Sequence, residues 1–195
     1  IDGQVEVQVP GCDGCHGSPG DPAPPRALDG SVDTASVGVG AHQHHLTGGT
    51  LRGPVPCNSC HRVPANVEAA GHLDGTARPE VVFGGLATAD GATPAWDPAT
   101  ATCSGVYCHG ATRPGGRHTE PEWTLVDGSQ ATCGACHGVP PPAPHVASAR
   151  CELCHTRTVR PDGTIDVAAG THINGQVDVE MPACGGCHGT PGNPA

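Results

Sequence analysis

The sequence predicts a mostly irregular chain with few short strands, short helices and an interior that side chains do not fill. Three observations lead there. Thirty glycines and 21 prolines make up about a quarter of the 195 residues, a share that otherwise belongs to low-complexity chains. Only 36% of residues are hydrophobic and 2% aromatic, too few for a conventional core at this length. Twelve cysteines and thirteen histidines offer cross-links to something other than a side-chain core.

The elements follow in chain order. Val5, Val7 and Val9 alternate with Glu6 and Gln8, the period of a short half-buried strand. A second strand is expected through Glu80–Phe83, and a third where Val177, Val179 and Met181 alternate with Asp178 and Glu180. Prolines and glycines recur too often for long helices, Pro140, Pro141 and Pro142 being consecutive, so a turn or two of helix is expected only around some cysteine motifs. The four aromatic residues are Phe83, Trp96, Tyr107 and Trp123.

The formal net charge is -10, and all nine basic residues are arginines without a run among them, which argues against nucleic acid as a partner. No apolar run approaches the roughly 20 residues of a membrane span. The chain opens on Ile1 rather than on a methionine and a signal sequence, and is expected to be a mature product or an excised segment.

The cysteine spacing carries the chemistry. Cys12-Asp13-Gly14-Cys15-His16, Cys57-Asn58-Ser59-Cys60-His61, Cys133-Gly134-Ala135-Cys136-His137, Cys151-Glu152-Leu153-Cys154-His155 and Cys184-Gly185-Gly186-Cys187-His188 are five C-x-x-C-H haem-attachment motifs. Cys103 and Cys108, followed by His109, repeat the arrangement with four intervening residues, a variant sixth site. Two thiols must reach the two vinyl groups on one porphyrin edge while the next imidazole reaches the iron. Zinc would pair C-x-x-C units without requiring a histidine after every second cysteine, and disulfides would not require it either. Six haems c are therefore expected, and the irregular chain is expected to fold around a row of closely packed, covalently bound macrocycles.

With His16, His61, His109, His137, His155 and His188 as proximal ligands, seven histidines remain for six irons. Met181 is the one methionine, so histidine at both axial positions is the expected ligation. Residues 1–23 reappear as residues 173–195, with 15 of 23 positions identical. The period holds five motifs, so residues 1–172 read as one five-haem unit, with sub-repeats of about 1–110 and 111–172. Residues 173–195 read as the start of the next unit, carrying the sixth haem.

A weaker half-period repeat aligns CHGSPGDPAPP, CNSCH and AAGHLDG with CHGVPPPAPH, CELCH and AAGTHING. It nominates His42, His45, His72, His145 and His172 as distal ligands. His44 and His118 are left as ligands, surface residues or propionate contacts. By the full period, the counterpart of His172 falls immediately before Ile1, so the expectation is that a neighbouring copy shares an axial histidine across the junction. Units would then join as a homopolymer or as tandem repeats.

The segment ATCSGVYCHG, followed by PEW and CGACHG, with GAHQHHL and GHLDG elsewhere, resembles bacterial multihaem c-type cytochromes of metal-reducing delta-proteobacteria, whose C-x4-C-H and C-x-x-C-H motifs occur as a pair. The resemblance implies export, haem attachment outside the cytoplasm, and an extracellular or cell-surface location, with the periplasm as the alternative. Some related cytochromes form extracellular filaments. Histidine on both faces saturates the iron and suits electron transfer rather than catalysis. The expectation is an electron conduit with redox partners, set against a reductase of a small oxyanion, a discrete electron relay, or a haem-storage protein.

Overall fold

Prolines remove backbone donors and glycines admit positive φ, so regular structure in this chain is brief. The computed structural model describes residues 11–21, 23, 26–73, 75 and 80–180. Among them, α-helix α1 spans His42–Thr47, and an antiparallel hairpin pairs β1 (Ala95–Asp97) with β2 (Thr102–Ser104). Short 3-10 turns cover Cys12–Gly14, Cys57–Ser59, Tyr107–His109 and Cys151–Leu153, each within a cysteine motif. No helix among the described residues is long and apolar enough to cross a membrane.

Two expected strands are not strands. Glu80–Phe83 and the described part of Val177–Met181 belong to no sheet. Their backbones instead bind the turns of two motifs: Val82 N–H donates to Cys60 O at 2.8 Å, and Glu180 N–H donates to Cys154 O at 2.9 Å. Among the described residues no partner strand pairs with either segment. The strand expected at Val5–Val9 lies outside the described residues, as do Met181 and the Cys184–Cys187–His188 motif.

The hairpin was not anticipated. Trp96 pairs opposite Cys103, and the pairing extends through Cys103 N–H to Pro121 O at 3.0 Å and Trp123 N–H to Ala101 O at 2.7 Å. Two residues before helix α1 lies Gly40 (φ +41°), where a β-carbon would overlap the Trp123 indole. That indole donates from Nε1 to Val37 O at 2.8 Å. A glycine at this one place therefore lets the indole lie beneath the start of the helix.

The buried apolar residues among those described are Ala27, Val39, Ala87, Ala101, Val106, Tyr107, Ala135 and Val159. Burying a valine side chain contributes about 1.5 to 2 kcal/mol, while ordering one residue's backbone costs about 1 to 2 kcal/mol. Seven alanine and valine side chains and one tyrosine cannot offset the ordering of such a chain. Meanwhile Val63, Leu73, Val139, Val146 and Leu153 are exposed, and each lies within or one to two residues from a motif or a nominated histidine.

Candidate haem-binding sites

The plain motifs close into single turns. His61 N–H donates to Cys57 O and His155 N–H to Cys151 O, both at 2.9 Å, so two thiols and an imidazole issue from one loop of backbone. In the variant motif, Cys103 lies on β2, and the turn that carries Cys108 and His109 begins only at Tyr107. The extra residues are the stretch by which the chain leaves the strand. The ten described cysteines form no disulfide. Burial pushes the Cys103 and Cys108 thiols up to about 11 and raises those of Cys60 and Cys136. No three His, Cys, Asp or Glu side chains among the described residues converge on a metal-sized point.

Four motif histidines each face a second histidine across an open gap. Ring centres are 6.1 Å apart for His42 and His61, 6.1 Å for His45 and His109, 6.4 Å for His137 and His172, and 6.3 Å for His145 and His155. The planes lie at 25°, 65°, 76° and 5° respectively. Two metal–imidazole bonds of about 2 Å, plus the nitrogen-to-centre distance of each ring, sum to about 6 Å. The gap is that of two imidazoles on opposite faces of one metal.

Backbone carbonyls fix the tautomer. Nδ1 lies 2.6–3.0 Å from Val39 O in His42, Ala41 O in His45, Glu80 O in His61, Val67 O in His72, Gly138 O in His137, Val146 O in His145, Asp178 O in His155 and Leu51 O in His172. A carbonyl only accepts, so Nδ1 carries the proton and Nε2 keeps the lone pair that binds metal. Burial lowers the pKa of His42 and His172 and pushes His109 down to about 4, with the facing His45 adding to the last. Neutral imidazole, the ligating form, is thereby favoured. His109 differs from the others: its Nδ1 is enclosed and meets no acceptor.

Short segments tie neighbouring pairs together. His42 and His45 are three residues apart on α1 and so share a face. Trp123 lies between them, 4.7 Å from the first ring and 5.6 Å from the second. Gly110, next to His109, has φ +87° and backs onto Cys136, whose carbonyl oxygen a β-carbon there would overlap. The stretch from His172 to Asp178 faces His137 at one end and holds His155 at the other. The pairs thus follow one another in the order of their motifs.

The donor set fits haem on the evidence of the fold itself. A cavity is lined by His45, Cys60, Cys103, Cys108, His109 and Trp123, so both facing imidazoles and the variant motif's thiols border one space. The Ser59 hydroxyl, also on this cavity, is buried without a partner. Exposed apolar side chains beside the motifs are where a macrocycle would lie.

Residues 102–137 match the family model for the Geobacter CxxxxCH...CXXCH motif. Over that segment the chain is similar to multihaem c-type cytochromes of Geobacter type. No curated protein and no solved structure matches it. The matched segment comprises β2, the Tyr107–His109 turn and the Cys133 motif, the two sites that meet at Gly110. The Cys12–Cys15 turn carries a half-buried His16. His72 is half-buried, with Nδ1 held by Val67. His44 and His118 are exposed, and neither ring belongs to a histidine pair among the described residues. Sequence reasoning missed Trp123 as the residue between two sites, although its place as one of two tryptophans, ten residues before Cys133, set it apart.

Proposed function

We propose that the chain is a multihaem c-type cytochrome that carries six haems c, each with two histidine ligands, and passes electrons along them rather than catalysing a reaction. The observation that supports this most is the set of four imidazole pairs at the spacing of one metal ion. A c-type haem with histidine on both faces supplies a one-electron ferric/ferrous couple and no open position for substrate.

The residues proposed as ligands are His61 with His42, His109 with His45, His137 with His172, and His155 with His145. In the half-period repeat, His16 and His72 are the counterparts of His137 and His172, so His72 is assigned to the iron bound by His16. Cys12/Cys15, Cys57/Cys60, Cys103/Cys108, Cys133/Cys136, Cys151/Cys154 and Cys184/Cys187 form the thioethers. The His188 site, counterpart of the first, takes its second histidine one period further on. This is how adjoining units would share a haem. Six haems in 195 residues leave about 33 residues each, and the ties at Trp123, Gly110 and His172–Asp178 keep successive sites adjacent.

The repeated termini favour an extended assembly of such units, as separate copies or as one longer polypeptide, exported to the cell surface or beyond and serving external redox partners. Intact mass should give six haems. Low-temperature electron paramagnetic resonance of the oxidised protein should give low-spin iron in two classes. Nearly parallel planes at His42/His61 and His145/His155 give rhombic signals, and crossed planes at His45/His109 and His137/His172 give strongly anisotropic ones. A high-spin share of one haem in six that binds cyanide would instead indicate a reductase. Electron micrographs of native material should show filaments, and discrete particles would refute that form.

A further inference from the structure

The four pairs are not equivalent at Nδ1. In His42/His61, His137/His172 and His145/His155, both imidazoles have a backbone carbonyl at Nδ1. In His45/His109 only His45 does, because the His109 Nδ1 is buried and meets no acceptor. The reason is local. His61 and His155 are met by the chain segments at Glu80 and Asp178, and His137 by its own neighbour Gly138. The backbone beyond His109 turns at Gly110 against Cys136 instead.

A hydrogen bond from Nδ1–H to a carbonyl gives the imidazole imidazolate character, strengthens it as a donor and stabilises ferric iron. Enclosure acts in the same direction as loss of that bond, since the ferric site carries one more positive charge than the ferrous and burial disfavours the charged form.

We infer that His109 makes the Cys103/Cys108 site the electron-accepting site among these four, reduced at a more positive potential than the sites of His61, His137 and His155. One electron passes from a neighbouring ferrous haem to the ferric iron between His45 and His109. No bond forms or breaks, and Nδ1 keeps its proton. The inference rests on the bis-histidine reading above. It places the resting position of an electron in the middle of the row, next to Trp123 on one side and Gly110 on the other.

The test is a potentiometric titration of the haem-loaded protein followed by electron paramagnetic resonance, because the 65° crossing at this site separates its signal from the rhombic ones. As the potential is lowered, the first signal lost should be a strongly anisotropic one. Loss of a rhombic signal first overturns the inference. His172→Met removes His137/His172 from the crossed class, and the remaining anisotropic signal should still disappear before both rhombic ones. Its disappearance with or after them overturns the inference. If His172→Met does not assemble, the wild-type order decides. Absence of two low-spin classes in the oxidised protein would defeat the ligand reading itself, a distinct outcome from a wrong order of reduction.

Discussion

His42 faces His61 across 6.1 Å, and His45 faces His109 across the same distance. Replacing either His42 or His45 by alanine should leave one iron five-coordinate. Absorption and electron paramagnetic resonance should then show about one haem in six converted to high spin and able to bind cyanide. His44→Ala and His118→Ala should leave every iron low-spin, since both side chains are exposed and outside the pairs. The cysteines and the histidine that follows each second one were legible in the sequence because their spacing is local. Which histidine faces which was not. His145 and His155 are ten residues apart and His45 and His109 are sixty-four apart, and no spacing rule covers that range. The repeat aligned His145 with the His42–His45 cluster, and the structure sets His145 opposite His155 just as it sets His42 opposite His61.

At the scale of elements, the variant motif is explained by the hairpin. Cys103 belongs to β2 and Cys108 to the following turn, so a two-residue spacing would draw the first thiol off the strand or the imidazole out of its turn. Deleting Ser104 and Gly105, which creates an ordinary C-x-x-C-H motif, should therefore remove the haem from this site and lower the intact mass by one haem. Retention of all haems would show the hairpin to be dispensable. The hairpin escaped sequence reading because each strand has three residues, too short for a period of two to register. The opposite error arose at Glu80–Phe83, an apolar run, and at Val177–Val179, where the sequence alternates: both are chain that supports a histidine instead of a sheet. In both places the carbonyl that meets Nδ1, of Glu80 or Asp178, lies two residues before the N–H that binds the motif's second cysteine.

For the whole molecule, the irregular fold was legible from glycine, proline and the scarcity of aromatics, because these set how little side chains can bury. The buried residues, mostly alanine and valine, confirm that shortage. Protein produced without haem attachment should show no cooperative thermal transition by circular dichroism, whereas the loaded protein should melt cooperatively. The difference should amount to most of the folding free energy, as for domains organised by a bound metal. A cooperative melt of the haem-free chain would mean that the side-chain core suffices. Which sites adjoin which was not legible, since adjacency depends on Trp123 beneath α1 and on Gly110 against Cys136, contacts between segments far apart in the chain.

The carbonyls that orient the imidazoles belong to Val39, Ala41, Leu51, Val67, Glu80, Gly138, Val146 and Asp178, residues with no chemistry in common. Each contributes only its main chain. Where such a side chain is exposed, as at Glu80 and Val146, it can drift in evolution without moving the carbonyl that meets the imidazole, provided the backbone path is kept. At those positions the outer face and its charge can change while the imidazoles keep their orientation.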